Sequence, residues 1–307
     1  MGAESVVADT VVRVESLSRR FGKKIALDNV TLSIPEGCVF GLVGENGAGK
    51  TTLIKLLLGL LKPASGTVRV FGSDPVKDPE GVLARIGYLS ENREMPDWMR
   101  VHEIIRYTRA FYRTWDAKYA AELQAWFRLD PGMRVRNLSR GQRAQLGLLL
   151  ALAYRPELLL LDEPSSGLDA VVRRDILGAI IRAVAEEGRT VVFSSHLLDE
   201  VQRVADVIAM VHEGRVVLCA PMDEIMQRYR KLAVQLPEDM RIPPQLPGAS
   251  GWEGAGRDWT VLVEDHTPGV DEALAAQGIQ IVRDERPSLE DVFVARVRAG
   301  RAPRAEV

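Results

Sequence analysis

The sequence predicts an α/β protein: a parallel-sheet core, interrupted by a helical insertion and followed by a small α+β unit. Three observations carry this. Gly44 to Thr51, read Gly-Glu-Asn-Gly-Ala-Gly-Lys-Thr, is a glycine-rich loop between an apolar run and a helical one. Strand and helix patterns alternate after Pro156, the order expected of a parallel sheet covered by helices. The pattern resets near residue 231, where short alternating runs and two helical stretches make a second unit.

Taken in order, residues 11–90 are rich in strands. Val11–Glu15, Val30–Ile34, Val39–Val43, Gly66–Val70 and Ile86–Leu89 are short apolar or alternating runs separated by Gly and Pro. Thr51–Leu61 reads as a helix. Residues 92–155 change character, and Val101–Tyr112, Lys118–Phe127 and Arg140–Ala153 carry helical periodicity. Strand Leu158–Leu161, helix Val171–Glu187, strand Thr190–Ser194 and helix Leu197–Val204 follow. Val207–Val211 and Val216–Leu218 read as a strand pair around the turn signal Glu213-Gly214. Beyond it, Leu232–Leu236, Trp259–Val263 and Ile279–Val282 read as strands, and Asp271–Gln277 and Leu289–Val297 as helices. Pro237–Gly256 reads as loop.

The bulk numbers bound the function. At 307 residues, 46% hydrophobic and 27% charged, the chain has room for one large or two modest domains with a real core. Forty basic against 42 acidic residues leave a net charge of -2, so electrostatics give no ground for a nucleic-acid partner. Cys38 and Cys219 sit in apolar, strand-like runs and are expected to be buried thiols rather than a disulfide. No apolar run reaches the length of a membrane span, and the N-terminus, with Glu4 and Asp9, has no signal-peptide core. The chain is therefore expected to be cytoplasmic, with any membrane role passing through a partner.

The loop Gly44, Glu45, Asn46, Gly47, Ala48, Gly49, Lys50, Thr51 has the spacing of a phosphate-binding loop. Glycines let the backbone curl until several N–H groups face one anion, and the following helix adds its positive end. Lys50 can reach the β- and γ-phosphates, and the Thr51 hydroxyl can ligate Mg²⁺. A second strand, four leucines ending in Asp162-Glu163-Pro164, fits a central strand buried on both faces. Its C-terminal end is where open α/β sheets bind ligands. Successive side chains of a strand point to opposite sides, so Asp162 and Glu163 are expected to do different work: one toward Mg²⁺, one toward a water beside the γ-phosphate. Leu138-Ser139-Arg140-Gly141-Gln142 opens the helix leading to that strand, with Ser139 as its N-cap.

Together these segments resemble the ATP-binding subunits of ABC transporters, over roughly residues 11–225. Leu138–Gln142 resembles the family's signature, usually Leu-Ser-Gly-Gly-Gln, with Arg140 departing at the third position. Ser166-Gly167-Leu168-Asp169 resembles the loop after the second nucleotide motif, and Ser194-Ser195-His196 the switch histidine. Phe21 lies where the family stacks an aromatic on adenine. Glu91 lies where many members carry glutamine. Pro287–Phe293 resembles the closing motif of subunits serving separate export permeases, and the stretch Phe111–Asp116 resembles bacterial drug, lantibiotic and peptide resistance exporters of that type.

The resemblance implies an ABC-type phosphate-loop ATPase domain over residues 1–230, containing an antiparallel β part and a helical insertion at about 92–155. A small α+β accessory domain at 231–298 and a flexible tail at 299–307 complete the expected organisation. ATP and Mg²⁺ are the implied ligands. Phe21, the loop Gly44–Thr51 and Thr52 would bind nucleotide. Thr51, Asp162 and Glu91 would hold the metal. Glu163 would be the general base and His196 would orient the water. Ser139, Arg140, Gly141 and Gln142 would act in trans on the nucleotide of a second ATP-binding subunit, identical or not, with Asp169 in the dimer loop. The implied partner is an integral membrane permease, which would place the chain at the inner face of the membrane, with no nucleic acid. The insertion is rich in large side chains (Trp98, Met99, Tyr107, Phe111, Tyr112, Trp115); most are expected to pack its core and some to form a groove for a helix of the membrane partner. A soluble ABC ATPase acting on ribosomes or nucleic acid is the alternative. Such members usually join two cassettes in one chain or carry zinc cysteines or coiled coils, and this chain has none of these.

Overall fold

The computed structural model describes residues 10–300, apart from 186, 241, 245–247 and 266. Strands β1 (Thr10–Phe21) and β2 (Lys24–Pro35) form an antiparallel hairpin, each much longer than the apolar run that announces it. Strand β3 (Val39–Val43) follows, buried along its whole length, and leads into helix α1 (Lys50–Leu57). The helix stops a turn short of the expected Leu61. Gly59 adopts φ 69° and the Leu60 amide donates back to the Lys55 carbonyl at 2.9 Å, which closes the helix end as glycine commonly does. Strand β4 (Ser65–Val70) returns to pair with β1, giving a three-stranded antiparallel sheet in the order β2-β1-β4.

A short helix α2 (Pro79–Leu83), capped by Asp78, precedes β5 (Ile86–Leu89). The helical insertion then holds α3 (Val101–Arg109), α4 (Ala117–Trp126) and α5 (Arg140–Leu152). Helix α3 ends before Tyr112, whose ring instead stacks on Tyr154 with centroids 3.6 Å apart. The alternating part follows as β6 (Leu158–Asp162), α6 (Ala170–Ala185), β7 (Thr190–Ser195), α7 (Leu198–Val204), β8 (Val207–His212) and β9 (Arg215–Pro221). These strands and β3 build one six-stranded sheet in the order β5-β6-β7-β3-β8-β9, parallel except for the β8–β9 hairpin. The four leucines of β6 are fully buried between β5 and β7, as a central parallel strand requires. At the hairpin, Glu213 and Gly214 take φ 47° and 80°, the left-handed pair that a tight two-residue turn needs.

Helix α8 (Met222–Arg228) leads into β10 (Tyr229–Gln235), so the last sheet starts slightly before the reset expected at 231. Strand β11 (Ala249–Ala255) overturns the reading of Pro237–Gly256 as loop throughout. It is an edge strand, bulged between Ser250 and Glu253, with Gly251 and Gly254 at positive φ, so glycine hides its strand pattern. Strand β12 (Asp258–Glu264), helix α9 (Pro268–Ala276), strand β13 (Gln280–Glu285) and helix α10 (Leu289–Gly300) complete the chain described. The order is β11-β12-β10-β13, all antiparallel, over a small core of Leu232, Val234, Val261, Val263 and Leu274. Helix α10 runs past the expected onset of a tail at 299, and residues 301–307 lie outside the described part. The Leu289 amide donates to Gln202 Oε1 at 3.0 Å, tying α10 to α7. Cys38 is buried as expected, but Cys219 is exposed on β9, a strand on which no residue is fully buried. No helix among the described residues is long and apolar enough to cross a membrane.

Candidate nucleotide site

The C-terminal ends of β3, β6 and β7 converge, and each delivers one part of the site. After β3 the chain must turn sharply against its neighbours. A Cβ on Gly44 would lie 2.2 Å from the Val211 carbonyl oxygen, and one on Gly49, at φ 116°, would lie 2.5 Å from that of Ala26. Only glycine lets the loop pass. The Ala48 amide closes the loop on the Glu45 carbonyl at 3.1 Å, and the Ala48 carbonyl accepts from Gly214 at 3.0 Å. Lys50 opens α1 with its side chain buried, and Nζ donates to the Gly44 carbonyl at 2.7 Å and the Glu45 carbonyl at 3.3 Å. Phe21, Asn46, Gly47, Gly49, Lys50, Thr51 and Thr52 line one cleft of about 420 Å³ together with Glu91 and Glu163. Phe21, at the end of β1, is 45% exposed, with the Arg19 guanidinium 4.8 Å over its ring.

Asp162 ends β6, and its Oδ1 accepts from the Thr51 hydroxyl at 3.2 Å and from Ser194 Oγ at 2.7 Å. Glu163 has left the strand. Its φ is 49°, so a left-handed turn, rather than strand alternation alone, sends the two carboxylates different ways. The Glu163 carboxylate is buried. Oε2 meets His196 Nδ1 at 2.8 Å, and Oε1 lies 3.1 Å from Lys50 Nζ. That second approach is an ion pair without hydrogen-bond alignment, so Oε1 is buried without a hydrogen-bond partner, and Glu163 is among the residues that line the cleft.

The donor set suits a hard cation. The Thr51 hydroxyl is in hydrogen-bond contact with Asp162, and Glu91 lines the same cleft. Burial, with the carboxylates of Asp162 and Glu91, pushes the Tyr88 phenol up to about 12, so both acids act on one neighbourhood. Among the described residues no three His, Cys, Asp or Glu side chains are grouped to hold a metal by themselves. A cation here would share its shell with phosphate oxygens of a nucleotide.

The signature residues stand apart from this cleft. Ser139 caps α5: its Oγ accepts from the Gln142 amide at 3.1 Å, and Gln142 Oε1 accepts from the Ser139 amide at 3.0 Å. Gly141 is buried against Val172, where a Cβ would sit 3.0 Å from a methyl. Arg140 is exposed and reaches Gly167, whose Cβ position would be 2.4 Å from an Arg140 nitrogen. Asp169 caps α6, with Oδ1 accepting from Val171 and Val172 at 3.0 Å each.

Several contributors are side chains to which the motifs assign no role. Ser194 Oγ bridges the two acids, donating to Asp162 and accepting from the Glu163 amide at 3.0 Å. Lys24 lines the cleft beside Gly47. Glu200, buried on α7, pairs with Arg173 at 2.9 Å and takes the Ser165 hydroxyl. Arg93 is buried with its guanidinium on the turn after Glu163. The one signal for these in the sequence is adjacency to a motif or, for Ser194, a place inside one.

Comparison with known proteins agrees with this geometry. A family model described as ABC transporter matches residues 27–166. The chain is similar to the bacitracin transport ATP-binding protein BcrA of Enterococcus faecalis, with 29% identity over 96% of this chain and 99% of the relative. It is similar to the daunorubicin resistance ATP-binding protein DrrA3 of Streptomyces coeruleorubidus, with 36% identity over 71% of each chain. A solved ATP-binding subunit of an ABC transporter superposes with a TM-score of 0.65 and 27% identity, covering 71% of this chain and 92% of that one. A phosphate loop, two buried acids and a histidine joined on one sheet edge, together with these relatives, show that the chain belongs to the ABC transporter family as an ATP-binding, ATP-hydrolysing subunit.

Proposed function

We propose that the subunit energises a separate membrane permease for export, with Glu163 as the general base of ATP hydrolysis. The observation that carries the base is the Glu163 carboxylate itself. It is buried between Lys50 and His196, with one oxygen held by the imidazole and the other without a hydrogen-bond partner. A water donating to Oε1 would be polarised toward the γ-phosphate. His196 orients the carboxylate and, being 35% exposed at its side chain, can face the same phosphate. Lys50 would exchange its loop carbonyls for phosphate oxygens, and the α1 N-terminus adds N–H dipoles. Gly44–Thr51 and Thr52 would cradle the phosphates, and Phe21 would stack on the base. Thr51, Asp162 and Glu91 would hold Mg²⁺, which when bound neutralises phosphate charge.

Ser139, Arg140, Gly141 and Gln142 lie outside the chain's own cleft, which favours their use across a head-to-tail dimer, with Asp169 near the seam. The export reading is supported by the relatives named for bacitracin transport and daunorubicin resistance, and a membrane partner by the exposed aromatics of the insertion. Trp98, Tyr107 and Phe111 are 69%, 53% and 66% exposed, which suits a permease contact that would hold the subunit at the inner membrane face. Glu163→Gln tests the base. Turnover should fall by about 10²–10⁴-fold with ATP binding retained, and ATP should trap a dimer visible by size-exclusion chromatography. Undiminished phosphate release would remove Glu163 from the role.

A further inference from the structure

We propose that Arg93 is a positioning residue that holds the backbone of the turn carrying Glu163. The proposal rests on the base reading given above. Arg93 lies in the turn after β5 with φ 51°, its amide donating to the Ser90 carbonyl at 3.1 Å. This folds the segment back, so that the side chain enters the protein and only 7% of the residue stays exposed. There Nη2 donates to three carbonyls of one turn: Glu163 at 3.2 Å, Pro164 at 3.1 Å and Ser166 at 3.2 Å.

Those carbonyls need a donor. The Glu163 backbone is left-handed, a conformation that a glutamate rarely adopts and that persists only where its surroundings hold it. On one side the Glu163 amide is held by Ser194. On the other, the carbonyls are gathered by one guanidinium. The two anchors fix the residue from both of its peptide groups, and so aim its carboxylate between Lys50 and His196.

The arrangement is costly for stability alone. Among the described residues no carboxylate lies within ion-pairing distance of Arg93, and its Nε has no hydrogen-bond partner. A buried cation hydrogen-bonded only to backbone carbonyls is an expensive way to close a turn. It is reasonable where the object is to hold one backbone conformation. Arg93 also lines an apolar cleft of about 440 Å³ with Tyr88, Met95, Tyr112 and Tyr154. The base is therefore held from inside the junction between the sheet and the helical insertion.

The experiment measures steady-state ATPase of the full chain for Arg93→Met and Arg93→Lys, beside Glu163→Gln. Arg93→Met should lower kcat by about 10- to 100-fold, with KM for ATP within about twofold and Tm within about 4 °C. Lysine should restore part of kcat, since one ammonium offers three N–H donors to three carbonyls. Should the methionine variant not fold, Arg93→Gln takes its place under the same criterion. Wild-type kcat in the uncharged variant overturns the proposal. So does a loss that lysine leaves unrelieved and that runs in parallel with Tm and KM. If Glu163→Gln still turns over, the base reading falls and this inference falls with it. If Glu163→Gln is dead while Arg93→Met is fully active, only the role of Arg93 falls.

Discussion

His196 Nδ1 lies 2.8 Å from Glu163 Oε2, although the two residues follow different strands. Strands β6 and β7 are parallel neighbours with Asp162 registered opposite Ser194, so the residues just beyond each end emerge side by side. The left-handed turn at Glu163 then swings its carboxylate toward the imidazole. In the proposed mechanism the pair works as one unit, the histidine orienting the carboxylate that accepts the proton.

Ser194→Ala should weaken both stability and turnover. The fully buried hydroxyl donates to Asp162 and accepts from the Glu163 amide, and alanine leaves that N–H without a partner. An orphaned buried donor costs about 1–3 kcal/mol. Tm should fall by several degrees and kcat by about tenfold, since the misplaced group is the proposed base. Thermal melts and phosphate release check this. A variant matching wild type in both would mean that the bridge holds nothing.

The signature is tested by mixing subunits. Ser139→Arg should block a phosphate contact across the dimer while leaving ATP binding to the single chain nearly intact. It also removes the α5 cap, so a loss of about 1 kcal/mol of stability is expected. Mixed with Lys50→Ala, it can form one site with a sound loop and a sound signature. Partial recovery of ATPase activity on mixing is the expected result. Full activity of Ser139→Arg alone would show that the signature does not reach ATP.

Trp98→Ala separates partner contact from core. The indole is 69% exposed, so Tm and the ATPase of the isolated subunit should stay near wild type. If Trp98 anchors the permease, truncation should cost about 2 kcal/mol of binding, read by pull-down with the membrane partner. Undiminished capture would move the docking surface away from Trp98.

The C-terminal unit should lose stability in acid through Asp291. Burial alone would raise its pKa, but hydrogen bonds from Lys231 at 2.7 Å and from Ser288 outweigh this and hold it below its ordinary value. A depressed carboxylate contributes stability above its unfolded pKa, near 3.9, and loses it as pH falls through the folded value. Wild-type Tm should therefore drop below about pH 4, and Asp291→Asn should start lower at neutral pH and follow pH less steeply. Parallel curves for the two proteins would contradict this linkage.

Much of the fold was legible because periodicity and punctuation agreed. The apolar runs of β3 and β6 and the helical stretches of α4 and α5 stand within a residue or two of their expected bounds. Misses occurred where a local rule was broken. Glycines masked β11, and Gly59 shortened α1. The short helices α2 and α8 span too few residues to show a period.

The sequence by itself determined the alternation of strand and helix and the chemical types at the site: glycines where the backbone must pass, a lysine, a threonine, two acids and a histidine. These are local facts, carried by residue type and spacing. The tertiary structure alone decided the contacts. Parallel register brought His196 to Glu163, a positive φ turned Glu163 away from Asp162, and burial placed Arg93 and Ser194 on the two peptide groups of one residue. Such contacts join residues far apart in the chain, and their geometry follows from sheet order and packing, which no short stretch of sequence encodes.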